Sequence, residues 1–306
     1  MEVQYKTIDK KMQAENMGLK KRVWYTGHID GIEGGYMFYN AKNSVLKIED
    51  TDMHYISFGN GPQNLIMIPG LGDGLKTVKG MAVPFSVMYK DFAKNYKVYV
   101  FSRRNKLPDG FTTRDMAHDI HYAMEQLGIE DAYVMGVSQG GMIAQYLAID
   151  FPETIKKLVL LVTLSKQNYV AKKVISTWIK MAKKDQYAEI MIDTAEKSYT
   201  EKYLGKMRPM YKYMGNIGKP KSFDRFLVMA DACLSHDAYE ELDQIQCPTL
   251  VIGGTKDHIV TGEASKEIAE KLADCELYMY EGYGHGVYEE EKDCFLRVLL
   301  FLQQNS

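Results

Sequence analysis

The chain has no dominant charge. Its 38 Lys and Arg against 40 Asp and Glu leave a formal net charge of −2, whereas contact with a phosphate backbone needs a concentrated basic excess. Nucleic acid is therefore not expected as a partner. No run approaches the roughly 18 apolar residues that a membrane-spanning helix requires, and the opening MEVQYKTIDKK has no apolar stretch to serve as a secretion signal. The expectation is a cytoplasmic protein without membrane contact. Cysteine is sparse: Cys233, Cys247, Cys275 and Cys294 stand singly, without the C-x-x-C pairs of zinc and redox sites. Free, mostly buried thiols and no metal site are expected. Fixed-period repeats and low-complexity blocks are also missing, which sets aside solenoids and disordered arrays. With 46% hydrophobic and 25% charged residues over 306 positions, the composition is that of a globular protein able to bury a sizeable core.

What does recur is a short apolar run followed by a helical pattern. NLIMI (64–68), KVYVF (97–101), AYVMG (132–136), LVLLV (158–162), TLVIG (249–253) and ELYMY (276–280) are apolar almost without alternation, as strands covered on both faces should be. Between them, Met116, Ile120, Met124 and Leu127, and later Ala264, Ile268 and Leu272, fall at helical spacing. This is the βαβ rhythm of a parallel sheet. Upstream, SVLKIED and MHYISFG alternate better, which predicts an antiparallel hairpin at the sheet edge. Residues 166–240 break the rhythm: they contain no convincing strand and read as amphipathic helices, for example around Trp178 and Tyr187. This segment holds 6 of the 19 Met, ten aromatics, and 14 Lys and Arg against 9 Asp and Glu. Most of its Met and Tyr are expected to pack helix on helix, with a minority facing a pocket. The predicted division is an N-terminal extension over 1–44, an α/β core over 45–165 and 241–306, and a helical insertion over 166–240.

One polar residue stands at a strand-to-helix junction. In VMGVSQGGMIAQYLA (134–148) the apolar run ends at Gly136-Val137-Ser138-Gln139-Gly140 and a helical pattern begins at once. A sharp turn there pushes the serine hydroxyl above the carboxyl ends of the strands, where open α/β sheets bind ligands. Residues two before and two after it pass too close for a Cβ, which accounts for Gly136 and Gly140. A serine hydroxyl is a weak nucleophile and needs a base, itself oriented by an acid. Asp257 follows strand 249–253, and His285, between two glycines, follows strand 276–280. Taken singly, Asp257 also suits a turn or a helix cap, and His285 a solvated loop; His258 comes too early to be the base. After strand 64–68, Pro69-Gly70-Leu71-Gly72 can turn backbone N–H groups toward the serine, without a dinucleotide or P-loop signature.

Together GVSQGG, PGLGDG, GTKDH and GYGHG resemble the α/β-hydrolase superfamily over roughly residues 45–304, with the insertion in the position of that family's cap. Many relatives carry His-Gly where this chain has Pro69-Gly70. The resemblance implies an α/β-hydrolase fold with Ser138 as nucleophile, His285 as base and Asp257 as its orienting acid. It also implies an oxyanion hole from the Leu71 and Gln139 backbone N–H groups, and no cofactor. It points to hydrolysis of a small to medium carboxylic ester or lactone. C–C bond cleavage of a diketone-like substrate and ligand binding without turnover are the alternatives. Oligomeric state is not predicted.

Overall fold

A computed structural model describes residues 38–214 and 218–304. Eight strands form one sheet: β1 (Lys42–Ile48), β2 (Thr51–Phe58), β3 (Gln63–Ile68), β4 (Tyr96–Arg104), β5 (Ala132–Val137), β6 (Ile155–Leu161), β7 (Thr249–Gly254) and β8 (Cys275–Tyr280). Their order across the sheet is β1-β2-β4-β3-β5-β6-β7-β8. β1 and β2 are antiparallel to each other and β2 to β4; the remaining pairs are parallel. Every apolar run named above is a strand, and the alternating pair is the edge hairpin. Of the expected N-terminal extension, residues 1–37 lie outside the described residues, while Lys42–Ser44 already belong to β1.

The helices are α1 (Ala82–Met88), α2 (Lys90–Ala93), α3 (Thr113–Gln126), α4 (Gln139–Asp150), α5 (Tyr169–Lys183), α6 (Tyr187–Ser198), α7 (Glu201–Met207), α8 (Tyr211–Met214), α9 (Asp224–Ser235), α10 (Gly262–Lys271), α11 (Val287–Glu290) and α12 (Lys292–Gln303). They cover both sheet faces, and the strands show why they needed to be continuously apolar. Ile66, Ile68, Val134, Leu158 and Leu160 pack into one core, with residues of α3 and α4. Their neighbours Leu65, Met67, Tyr133, Met135, Val159 and Leu161 pack into the other, with residues of α2 and α12. A period-2 strand buried on both faces has no position left for a polar side chain. α4 is buried from Gln139 to Ile149, so its apolar residues encircle it rather than form a stripe.

The chain runs from β3 outward to β4 and then returns to the other side of β3 as β5. The ends of β3 and β5 therefore flank the point where winding reverses, and such a point leaves a crevice outside the carboxyl ends of the strands. α5 to α9 all lie between β6 and β7 in sequence. A two-residue antiparallel bridge, Lys166 with Asp237, joins the ends of this insertion.

Candidate active site

Ser138 sits at the junction of β5 and α4 with φ 53° and ψ −118°. A positive φ with that ψ lies outside the left-handed helical basin and is strained for a residue with a Cβ, at a cost of roughly 1–3 kcal/mol. The surroundings enforce it. A Cβ on Gly136 would lie 2.4 Å from the Gly140 carbonyl oxygen, and one on Gly140 would lie 1.9 Å from that of Ile68. Both glycines are thus required by backbone approach, as expected from the spacing. The Ser138 carbonyl accepts from the Thr163 hydroxyl at 2.7 Å and from the Gly141 N–H at 2.8 Å. Thr163 follows a second strained residue, Val162, with φ 44°.

Asp257 lies in the turn after β7 and is buried. One carboxylate oxygen accepts from the Ile259 and Val260 N–H groups at 2.7 and 2.9 Å. The other is 2.7 Å from His285 Nδ1. Burial alone would raise its pKa, yet the charge and hydrogen bond of His285 and the two N–H groups hold it below the ordinary carboxylate range. With Nδ1 paired to a carboxylate, the proton is assigned to Nδ1 and Nε2 is left as the acceptor. His285 is buried and His258 exposed. The glycines flanking His285 admit α6: a Cβ on Gly284 would lie 2.5 Å from the Ser198 carbonyl oxygen, and one on Gly286 would lie 2.3 Å from the Tyr199 ring.

Ser138 and His285 line one cavity of about 320 Å³. No hydrogen bond joins the serine hydroxyl to the imidazole in the structure. Leu71 opens a single 3-10 turn, Leu71–Gly74, and lines the same cavity. The loop before it touches the elbow, since a Cβ on Gly70 would lie 3.3 Å from that of Ser138. The insertion supplies Trp178, Ile190, Met191, Thr194, Tyr199 and Phe226 to the wall. Only a minority of its Met and Tyr face the cavity, while Met229 is in the core and Met210 and Tyr213 are exposed. The lining includes the exposed Glu289 and the buried, Arg225-paired Asp73 but no Lys or Arg, so the basic surplus of the insertion is not in the wall.

Beneath the loop is a buried charge cluster that the motifs gave no reason to expect. Asp73 accepts from the Ser102 hydroxyl at 2.6 Å and the Arg103 N–H at 3.0 Å, and it pairs with Arg225 from α9. Burial would raise its pKa, but Arg225, Arg103 and Ser102 together hold it low. Arg103 is 1% exposed, and burial pulls its guanidinium down to about 10. The available signal was two arginines ending an otherwise apolar strand, which resembles an ordinary solvated strand end. Among the described residues no group of His, Cys, Asp and Glu could hold a metal ion, and the four cysteines are free. No helix among them is long and apolar enough to cross a membrane.

A winding-reversal crevice holding a strained strand-to-helix serine and a downstream Asp–His pair, in that chain order, is the arrangement of α/β hydrolases. The chain belongs to the alpha/beta hydrolase fold family, whose match covers residues 63–292. It is 26% identical over 289 residues to the 2-hydroxy-6-oxo-6-phenylhexa-2,4-dienoate hydrolase of Comamonas testosteroni, covering 86% of this chain and 96% of that one. Its fold is that of MGS-M2, an alpha/beta hydrolase enzyme from a Medee basin deep-sea metagenome library. The TM-score is 0.77 at 21% identity, over 86% of this chain and 98% of that one. It is also that of the enol-lactonase from Burkholderia xenovorans LB400, with TM-score 0.73 at 20% identity over 85% and 100% of the two chains.

Proposed function

We propose that the protein is a serine hydrolase that cleaves a small to medium carboxylic ester or lactone through an acyl-enzyme on Ser138. The observation that carries this reading is the convergence, in one largely apolar cavity, of a half-buried, strained serine and an imidazole whose far nitrogen is held by a buried carboxylate. Substrate binding excludes water and closes the hydrogen bond from the Ser138 hydroxyl to His285 Nε2, a contact often long until substrate is bound. His285 then takes the hydroxyl proton as Oγ attacks the carbonyl carbon, and Asp257 stabilises the imidazolium without itself being protonated. The Leu71 and Gln139 N–H groups receive the oxyanion of the tetrahedral intermediate. The imidazolium returns its proton to the departing alkoxide, leaving an acyl group on Ser138. Water, deprotonated by the same imidazole, attacks that acyl group and releases the acid. Residues 166–240 act as the cap that shapes the substrate pocket.

C–C bond hydrolysis of a diketone-like substrate is the second reading, and the Comamonas relative is named as the hydrolase of a keto-dienoate. The dienoate named for that relative is an anion, whereas this cavity has no Lys or Arg in its wall and carries Glu289. A neutral ester fits this charge pattern better. The test is a series of p-nitrophenyl esters of increasing acyl length beside a vinylogous β-diketone. Turnover of the short esters, abolished in Ser138→Ala, is expected. Diketone cleavage with no ester turnover would move the assignment to C–C hydrolysis, and no turnover of either would leave a binding protein.

A further inference from the structure

We infer that Arg103 is a positioning residue that sets the Leu71 half of the oxyanion hole from below and braces the Gln139 half through its side chain, an inference that rests on the serine-hydrolase reading. Through a single nitrogen, Nη2, it donates to the Pro69 carbonyl, to the Gly70 carbonyl at 3.4 Å and to the Gln139 side-chain oxygen at 3.1 Å. In a trans peptide the C=O and the following N–H point in opposite directions. With the Gly70 carbonyl directed at Arg103 and also taken by the Asp73 N–H at 3.1 Å, the Leu71 N–H is turned away from Arg103 and toward the cavity. The same geometry acts at the elbow. The Ser138 carbonyl is held by Thr163 and Gly141, so the Gln139 N–H is directed the other way. The Gln139 side chain is in turn fixed between Arg103 and the Met229 carbonyl of α9, the latter at 2.6 Å.

The cost of this arrangement is what marks it as more than packing. Arg103 Nε and Nη1 are buried without hydrogen-bond partners, and its contact with Asp73 is long, 3.9 Å, because Asp73 is already paired with Arg225. A buried guanidinium with unpaired donors destabilises a fold, and an apolar side chain of similar volume is often as stable or more so. Unpaired buried polar groups call for an explanation. Here the nitrogen that does bond is the one that reaches the loop and the elbow together.

The experiment compares wild type, Arg103→Lys and Arg103→Met. It reads kcat and KM on p-nitrophenyl butyrate, the Ki of butylboronic acid, which places an oxygen of its tetrahedral serine adduct in the oxyanion hole, and the melting temperature. For Arg103→Met the expected result is a fall in kcat of about 10²-fold, the usual consequence of losing one oxyanion donor. KM should stay within about threefold, and the boronate Ki should rise in parallel with the loss of kcat. Arg103→Lys keeps one reach to a carbonyl and should recover part of the loss. Unchanged kcat in a folded Arg103→Met, or a lower melting temperature with boronate affinity intact, overturns the positioning role. Should Arg103→Met fail to fold, Gln139→Leu removes the elbow contact while keeping the backbone N–H. A coupled fall in kcat and boronate affinity is then expected, and none overturns the proposal. A wild type that hydrolyses no ester and binds no boronate sinks the serine-hydrolase reading itself, an outcome distinct from any difference among variants.

Discussion

Two carboxylates are buried beside the same crevice, and they meet the cost of burial differently. Asp257 faces one titratable imidazole and two backbone N–H groups. Asp73 sits with two guanidiniums, Arg103 and Arg225, and a hydroxyl. Both are held low against the effect of burial. The positive charges around Asp73 are permanent, so its charge is neutralised in the resting protein and can only fix structure. The charge opposite Asp257 arises only when His285 takes a proton, so its attraction is strongest when the imidazolium forms. On the serine-hydrolase reading proposed above, similar burial serves rigidity at one site and differential stabilisation of the imidazolium at the other.

Substitution should separate the two. Asp257→Asn keeps the shape but favours the wrong imidazole tautomer, and kcat is expected to fall about 10⁴-fold, or about 5.5 kcal/mol, with little change in melting temperature. A loss below tenfold would show that something else orients His285. Asp73→Ala is expected to act the other way round. It leaves the buried Arg103 and the part-buried Arg225 without a counter-charge, and denaturant unfolding should report a loss of about 3–5 kcal/mol, larger than its effect on turnover per folded molecule.

Smaller effects sharpen the contrast. His236 joins the insertion to the core, with Nδ1 2.9 Å from the Thr113 hydroxyl, and burial pulls its pKa down to about 3. The folded state therefore disfavours the protonated form. Its contribution is fully present above the ordinary value near 6.5 and is lost as pH falls from there toward 3. Replacing His236 with Gln should reduce the drop in melting temperature between pH 7 and pH 4 by a few degrees, and an unchanged drop would assign acid lability to other groups. The smallest effect is expected for Glu289→Gln. The kcat/KM ratio of an anionic to a neutral ester should rise about threefold to tenfold, as befits an exposed charge; no change would place the substrate away from that carboxylate.

Legibility followed the range of the interactions. The strands were readable because burial on both faces leaves its mark within five or six residues. The elbow was readable because close backbone approach demands Gly136 and Gly140 at fixed offsets from Ser138. Asp257 and His285 were picked out by their place after particular strands, and the glycines flanking His285 are ones that backbone and ring approach require. Arg103, Asp73 and Arg225 were not, because their pairing spans separations of 30 and 152 residues. No local pattern records which charge ends beneath which loop. The residues of the insertion were legible as helices but not by direction: Met191 and Tyr199 line the cavity while Met210 and Tyr213 face solvent, and periodicity alone does not separate them.

Mass spectrometry after treatment with a fluorophosphonate bears most directly on whether Ser138 is activated by the His285–Asp257 pair. A single adduct on the Ser138 peptide is expected in the wild type, absent from Ser138→Ala and slowed at least a hundredfold in His285→Ala. An adduct elsewhere, or labelling of Ser138 at the same rate without the imidazole, would contradict that activation.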